Sequence, residues 1–109
     1  MVRLTVALST SSSRSAHDLQ EALRFLMSGT RLEAGCRGCS VWVDPDSTLQ
    51  YVEEWETEAD MRQRVRSPRF TSLLGIIDSA DGPPHVQFDF VASTRGLDYV
   101  AQVRGETSG

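Results

Sequence analysis

The sequence predicts an α+β fold: one antiparallel sheet with helices on one face. Three observations carry this. The chain opens on a strict alternation, Val2, Leu4, Val6 and Leu8 against Arg3, Thr5, Ala7 and Ser9, which is the period of a half-buried strand. Two further strand-like segments are joined only by Asp44-Pro45-Asp46-Ser47, a link short enough to make them an antiparallel hairpin. Two helical segments separate the strands, and the second is broken and restarted at Ser67-Pro68, because the residue before a proline is pushed out of the α region.

Taken in order, Ser9-Thr10-Ser11-Ser12-Ser13 is a hydroxyl-rich loop after the first strand. Ser15-x-x-Asp18 resembles a capping box and starts the first helix. Leu19, Ala22, Leu23 and Leu26 form its apolar stripe, and Gly29 offers a C-cap unless the helix continues toward Ala34. Residues 35–38 turn the chain into a second strand at about 39–44, and a third follows at about 49–55. Thr57-x-x-Asp60 is a second capping box, opening a helix with Met61 and Val65 on one side. Ser67 ends that helix and caps the next, with Pro68 at its first position. Phe70, Leu73, Leu74 and Ile77 then recur at i, i+3, i+4 and i+7, the clearest amphipathic stripe in the chain. Asp81-Gly82-Pro83-Pro84 stops it. Val86, Phe88 and Phe90 alternate with Gln87, Asp89 and Val91 as the fourth strand. After Arg95-Gly96, residues 97–103 read as a short strand or a helical turn. The chain is expected to be a single domain over residues 1–104, with 105–109 a frayed tail.

This order, strand, helix, strand, strand, broken helix, strand, is the ferredoxin-like split βαβ plan with four antiparallel strands. Val2, Leu4, Val6, Leu8, Val86, Phe88 and Phe90 are expected on the helix-covered face. Burial stabilises such side chains by ~1.5–3 kcal/mol each. The other face should carry Ala7, Val91 and one of the two sets on strand three, among Thr5, Gln87 and Asp89. A sheet face that is partly apolar invites a second copy of itself, so a homodimer through this open face is expected. Glu53 and Glu54 are adjacent on a strand and point to opposite faces. Glu53 is expected to be the inward one, satisfied by a backbone amide or an arginine.

Composition excludes some functions. The net charge is −4, against nucleic-acid binding, which needs a clustered basic face. Arg62, Arg64, Arg66 and Arg69 are interleaved with Glu56, Glu58 and Asp60 on helical segments and read as a solvated face. No segment has the length or apolarity of a leader or a membrane span, so a cytoplasmic location is expected. Cys36 and Cys39 form a C-x-x-C before a strand. They read first as small residues at a turn, with a disulfide or a metal ligand pair as the other readings. A redox pair would need a helix N-terminus, and zinc would need two more ligands.

Gly35-Cys36, Asp44-Pro45-Asp46, Glu53-x-Trp55, Glu58-Ala59 and Ser67-Pro68-x-Phe70 occur in order and at matching spacing. Together they resemble the antibiotic biosynthesis monooxygenase domain of the dimeric α+β barrel superfamily, over about residues 2–92. The resemblance implies a homodimer with two sheets face to face, and a pocket between sheet and helices in each subunit. Members of that family include cofactor-independent oxygenases of polyketide quinols and haem-degrading enzymes, alongside many members of unknown activity. Many quinol-oxidising members carry histidine where this chain has Arg64 and Arg69. Haem-degrading members carry tryptophan at the position of Arg64 and a ligating histidine at that of Leu74. Leucine does not ligate iron, so haem degradation is not expected.

Cofactor-free oxygenation asks for a dry cavity, stabilisation of a substrate anion, and a donor for the peroxide. The candidate catalytic residues are Trp55, Arg64 and Tyr51, and the candidate substrate-binding residues are Trp42, Phe70, Leu74, Phe90 and His85. Five of them also have a plainer reading: Trp55 and Phe70 as core, Tyr51 as a dimer-interface residue, Arg64 as surface, His85 as solvated. Two functions stand at this point. One is a monooxygenase of a small aromatic or quinol, using neither cofactor nor metal. The other is a non-catalytic dimeric domain that binds a small ligand or has a structural role.

Overall fold

The computed structural model describes residues 1–93 and 95–106. The elements run β1 (Val2–Ser9), α1 (Ser13–Thr30), β2 (Cys36–Val43), β3 (Thr48–Trp55), α2 (Glu58–Arg66), α3 (Pro68–Asp78), β4 (His85–Phe90) and α4 (Leu97–Glu106). All strand pairs are antiparallel and the sheet order is β2-β3-β1-β4. This is the α+β, ferredoxin-type plan expected from the element order.

Local chemistry sets the boundaries. Ser12, not Ser15, caps α1, accepting from the Ser15 backbone N–H at 3.1 Å. In a serine run every hydroxyl offers the same cap, and that of Ser15 is engaged with Asp81 Oδ2 at 3.2 Å. α1 ends at Thr30, past Gly29, with Arg31 as its C-cap. Thr57 caps α2 by accepting from the Asp60 N–H at 3.1 Å. Ser67 ends α2 in an extended conformation, φ −78° and ψ 154°, and its side chain caps α3 at Phe70 N–H. Gly35 has φ +86°, and a Cβ there would collide with the Asp60 side chain, so only glycine fits between β2 and the start of α2.

Three further boundaries differ from the sequence reading. β2 begins at Cys36 rather than 39, with a register irregularity between Cys36 and Gly38; the two cysteines are strand residues and free thiols, not turn residues. β4 ends at Phe90, and Val91 instead donates its N–H to Met1 O at 2.8 Å. Residues 97–106 are a helix, which includes Gly105 and Glu106 of the expected tail; the rest of that tail, 107–109, lies outside the described residues. α4 buries none of its residues, and Leu97 is 85% exposed.

Directly paired residues share a sheet face, so the register places Val2, Leu4 and Val6 beside Trp55, Glu53 and Tyr51 on one side and Phe90, Phe88 and Val86 on the other. This is the face packed under α1, α2 and α3. Leu4, Leu8, Leu23, Leu49 and Leu73 are fully buried there. The β4 members are not: Val86, Phe88 and Phe90 remain 46%, 38% and 63% exposed. β4 is an edge strand and the helices do not roof it. The opposite face carries Arg3, Thr5, Ala7, Gln50, Val52, Trp42, His85, Gln87 and Asp89.

Candidate functional site

Two features on the helix face bear on function: a buried polar knot and an apolar groove beside it.

The knot is centred on Glu53, in mid-β3. Its carboxylate is fully buried and receives four hydrogen bonds. Oε1 accepts from Trp55 Nε1 at 2.9 Å and Arg64 Nε at 3.1 Å; Oε2 accepts from Tyr51 Oη at 2.6 Å and Arg64 Nη2 at 2.8 Å. Tyr51, Glu53 and Trp55 alternate along β3, which aims all three at the same side. Arg64 comes from α2, and its Nη1 also meets Glu33 Oε2 at 3.3 Å. The guanidinium lies 6.0 Å from the Trp55 ring centre and 5.7 Å from that of Phe70. Cys39 Sγ donates to Tyr51 Oη at 3.2 Å. Among the described residues, no buried side-chain polar atom lacks a partner.

The electrostatics follow from burial. Desolvation pushes the Tyr51 phenol far up, and the neighbouring Glu53 charge pushes the same way. Desolvation raises the Cys39 thiol to about 11. For Arg64, burial alone would lower the pKa, but the hydrogen bonds and charge of Glu53 outweigh it, and the guanidinium is held more firmly charged than usual. Tyr51 is thus a fixed neutral donor and Arg64 a fixed cation, each engaged with a partner in the knot.

The groove lies between α3 and the β1–β4 side of the sheet. Its deep part is a cavity of about 360 Å³ lined by Leu4, Val6, Val65, Phe70, Leu73, Leu74, Ile77, Pro84, Val86 and Phe88, with Asp78 as its acidic residue. Val65 and Phe88 are shared with a second cleft of about 360 Å³, whose other walls are Met61, Phe90, Glu58, Arg62 and Arg66. A smaller cleft of about 240 Å³ touches the knot from outside, along Glu33, Asp60, Gln63, Arg64 and Trp55.

The expected site residues therefore divide. Phe70 and Leu74 line the deep cavity and Phe90 the adjoining cleft. Trp55, Arg64 and Tyr51 are drawn together, but in the knot, at 1%, 2% and 0% exposure. The surface reading of Arg64 and the interface reading of Tyr51 are corrected accordingly: a buried Glu53 demands a cation and a donor, and these two supply them. Trp42 pairs with Gln50, and His85 with Ala7, on the opposite sheet face, so neither borders the groove. Glu53 is inward as expected, and of the two partners left open, a backbone amide or an arginine, it is met by an arginine, Arg64.

Sequence reasoning missed Val65, Leu73, Ile77, Val86 and Phe88 as walls and Arg62 and Arg66 as rim. Most belong to the apolar stripe of α3 or the alternation of β4, which were legible as core. What could not be read was that the two stripes stand apart rather than in contact. Glu33 precedes β2 on an irregular segment and carried no signal. Among the described residues, no three His, Cys, Asp or Glu side chains cluster as metal ligands. No helix among them is long and apolar enough to cross a membrane.

The fold and groove define a small single-sheet α+β domain with a ligand-sized apolar site. The sequence model of the antibiotic biosynthesis monooxygenase family matches residues 1–73, and the chain belongs to that family. Solved structures agree on the fold. A candidate antibiotic biosynthesis monooxygenase from Deinococcus radiodurans superposes with a TM-score of 0.76 at 20% identity, covering 89% of this chain and 98% of that one. Another structure described as an antibiotic biosynthesis monooxygenase gives 0.68 at 18% identity, covering 85% and 100%. Rv0793 from Mycobacterium tuberculosis gives 0.71 at 17% identity, covering 87% and 98%. No curated protein matches the sequence.

Proposed function

We propose that this chain is a monooxygenase of the family type that takes a small aromatic phenol or quinol into the groove beside α3 and oxidises it without a cofactor. The observation that carries the reading is the apolar cavity of about 360 Å³ with aromatic walls at Phe70 and Phe88 and one carboxylate, Asp78, at its edge. Such a space binds a planar apolar ring, and the bound ring displaces water from these walls. Asp78 accepts the substrate hydroxyl proton or orients that hydroxyl. The resulting phenolate, nucleophilic at its ring carbon, gives electrons to dioxygen. One oxygen atom becomes the new carbonyl of a quinone and the other leaves as water, so phenol plus dioxygen yields quinone plus water, and the substrate supplies all four electrons. The Glu53–Arg64 knot lies behind Phe70 and acts here as a scaffold.

The active unit is proposed to be a homodimer joined through the open sheet face, where Trp42 is 45% exposed near Ala7 and Val52. Light scattering should give about twice the 12.1 kDa chain mass; a monomer mass would remove the dimer from the proposal.

One observation favours a second reading, a ligand-binding domain without turnover. Tyr51, Trp55 and Arg64 use their donors within the knot, which leaves Asp78 as the ionisable group in the deep cavity. Oxygen uptake with a panel of phenols and quinols separates the two. Uptake that disappears in Leu74→Trp, which fills the cavity mouth, supports the oxygenase. Saturable binding with no uptake across the panel supports the binding domain.

A further inference from the structure

The second cleft differs from the deep cavity in one respect: its rim is cationic. Arg62 and Arg66 stand at i and i+4 on α2, hence on one face and one turn apart, and both line the cleft floored by Phe88 and Phe90. Several other arginines of the chain are engaged, and Arg14, Arg24 and Arg69, which are not, line neither compartment of the groove. Arg3 meets Glu54, Arg37 meets Glu56, Arg64 meets Glu53 and Glu33, Arg95 meets Asp98, and Arg31 donates to Cys39 O. Arg62 and Arg66 have no hydrogen bond or ion pair among the described residues. Glu58, one turn before Arg62, borders the same cleft; it also borders the recess at Met1, Val2 and Phe90, away from Val65, where the cleft joins the cavity.

We propose that the groove binds an amphiphilic anion: an apolar ring system in the cavity beside Phe70 and Leu73, and a carboxylate held at the rim by Arg62 and Arg66. The two compartments meet at Val65 and Phe88, so one ligand spans both. Guanidinium matches carboxylate in a planar, two-point geometry. A charge pair placed against aromatic walls is less screened than one on open surface. This inference rests on the groove being the ligand site, as proposed above, and adds the charge of what enters it.

The test is binding, not turnover. 1-Naphthoate and its neutral counterpart 1-naphthalenemethanol are titrated by calorimetry into the wild-type chain, the Arg62→Gln/Arg66→Gln double variant, and Leu74→Trp. Circular dichroism checks that each variant is folded; the two arginines are exposed and unpaired, so their removal leaves the core untouched. The expected result is naphthoate binding about tenfold tighter than the alcohol in wild type, with the preference lost in the arginine variant and binding of both lost in Leu74→Trp. Equal affinity of both probes in wild type overturns the anion proposal while leaving the groove as a site. A preference that survives in the arginine variant also overturns it. Binding of neither probe to wild type overturns both readings.

Discussion

Arg64 and Glu53 meet in a two-point ion pair, Nε to Oε1 at 3.1 Å and Nη2 to Oε2 at 2.8 Å, with both side chains fully buried. One stands on β3 and the other, 11 residues on, in the last turn of α2, and the pair ties that helix to the sheet. A buried pair of this kind adds little over an apolar pair of equal volume, but losing one partner strands a charge. Arg64→Ala is therefore expected to lose about 3–5 kcal/mol in urea unfolding. Glu53→Ala should be comparably damaging, and the double Ala variant should lose clearly less than the sum of the two. Simple additivity would mean that the two groups do not depend on each other.

Gly35 presents a backbone requirement rather than a contact. At φ +86° a side chain is strained, and the Asp60 side chain occupies the Cβ position. Gly35→Ala should cost more than the ~1–2 kcal/mol of the left-handed conformation alone. Pairing it with Asp60→Ala should recover only part of the excess, because the Asp60 Cβ that alanine keeps lies 2.8 Å from the added methyl carbon. Thermal unfolding of both variants measures the difference.

The two cysteines should react in sequence. Burial, foremost, raises both thiols, Cys39 to about 11. A rise from 9.0 to about 11 reduces the thiolate near neutral pH about a hundredfold. Iodoacetamide at pH 8 should label Cys36 in the native chain and reach Cys39 only after denaturation. Native labelling of both at equal rates would contradict the burial of Cys39.

The same raised pKa has a stability consequence. Cys39 protonates more readily when folded than when unfolded, so its contribution is complete below pH 9 and is lost between 9 and about 11. Cys39→Ser, which keeps a donor for Tyr51, should flatten the alkaline limb of the stability curve over that interval. Tyr51, also raised, continues the decline above it.

The acid limb has its own markers. Asp81 is lowered, chiefly by the Ser11 backbone N–H, and Asp44 is lowered, chiefly by the Thr48 backbone N–H. Each is more easily protonated when unfolded, so its contribution is present above pH 3.8 and disappears as pH falls through the folded value. Asp81→Asn should narrow the stability difference between pH 5 and pH 3, measured by urea unfolding at each pH.

How much of this was legible in sequence depends on the range of the interaction. The caps at Thr57 and Ser67, the proline restart of α3 and the alternation of β1 are set by residues within four positions of each other, and they were readable. The start of α1 was misread because equivalent hydroxyls compete within one serine run, and Asp81, far along the chain, decides among them. The inward turn of Glu53 followed from strand alternation and the cost of a buried charge. Its partner did not, since four arginines within one helical stretch look alike until the helix docks. The groove was least legible, because an apolar stripe that packs and one that lines a void have the same spelling.

β4 pairs with β1 alone and forms one wall of the groove. A strand held along one edge opens more readily than one held along both, so its amide protons should exchange with deuterated solvent sooner than those of β1 and β3. Any molecule filling the groove then clamps β4 from its side-chain face, and occupancy becomes measurable as slowed exchange at Phe88 and Phe90 without a reaction to follow. This wall of the groove is also the shorter of the two edge strands of the sheet, so entry of a ligand would be coupled to the closing of the fold in one equilibrium.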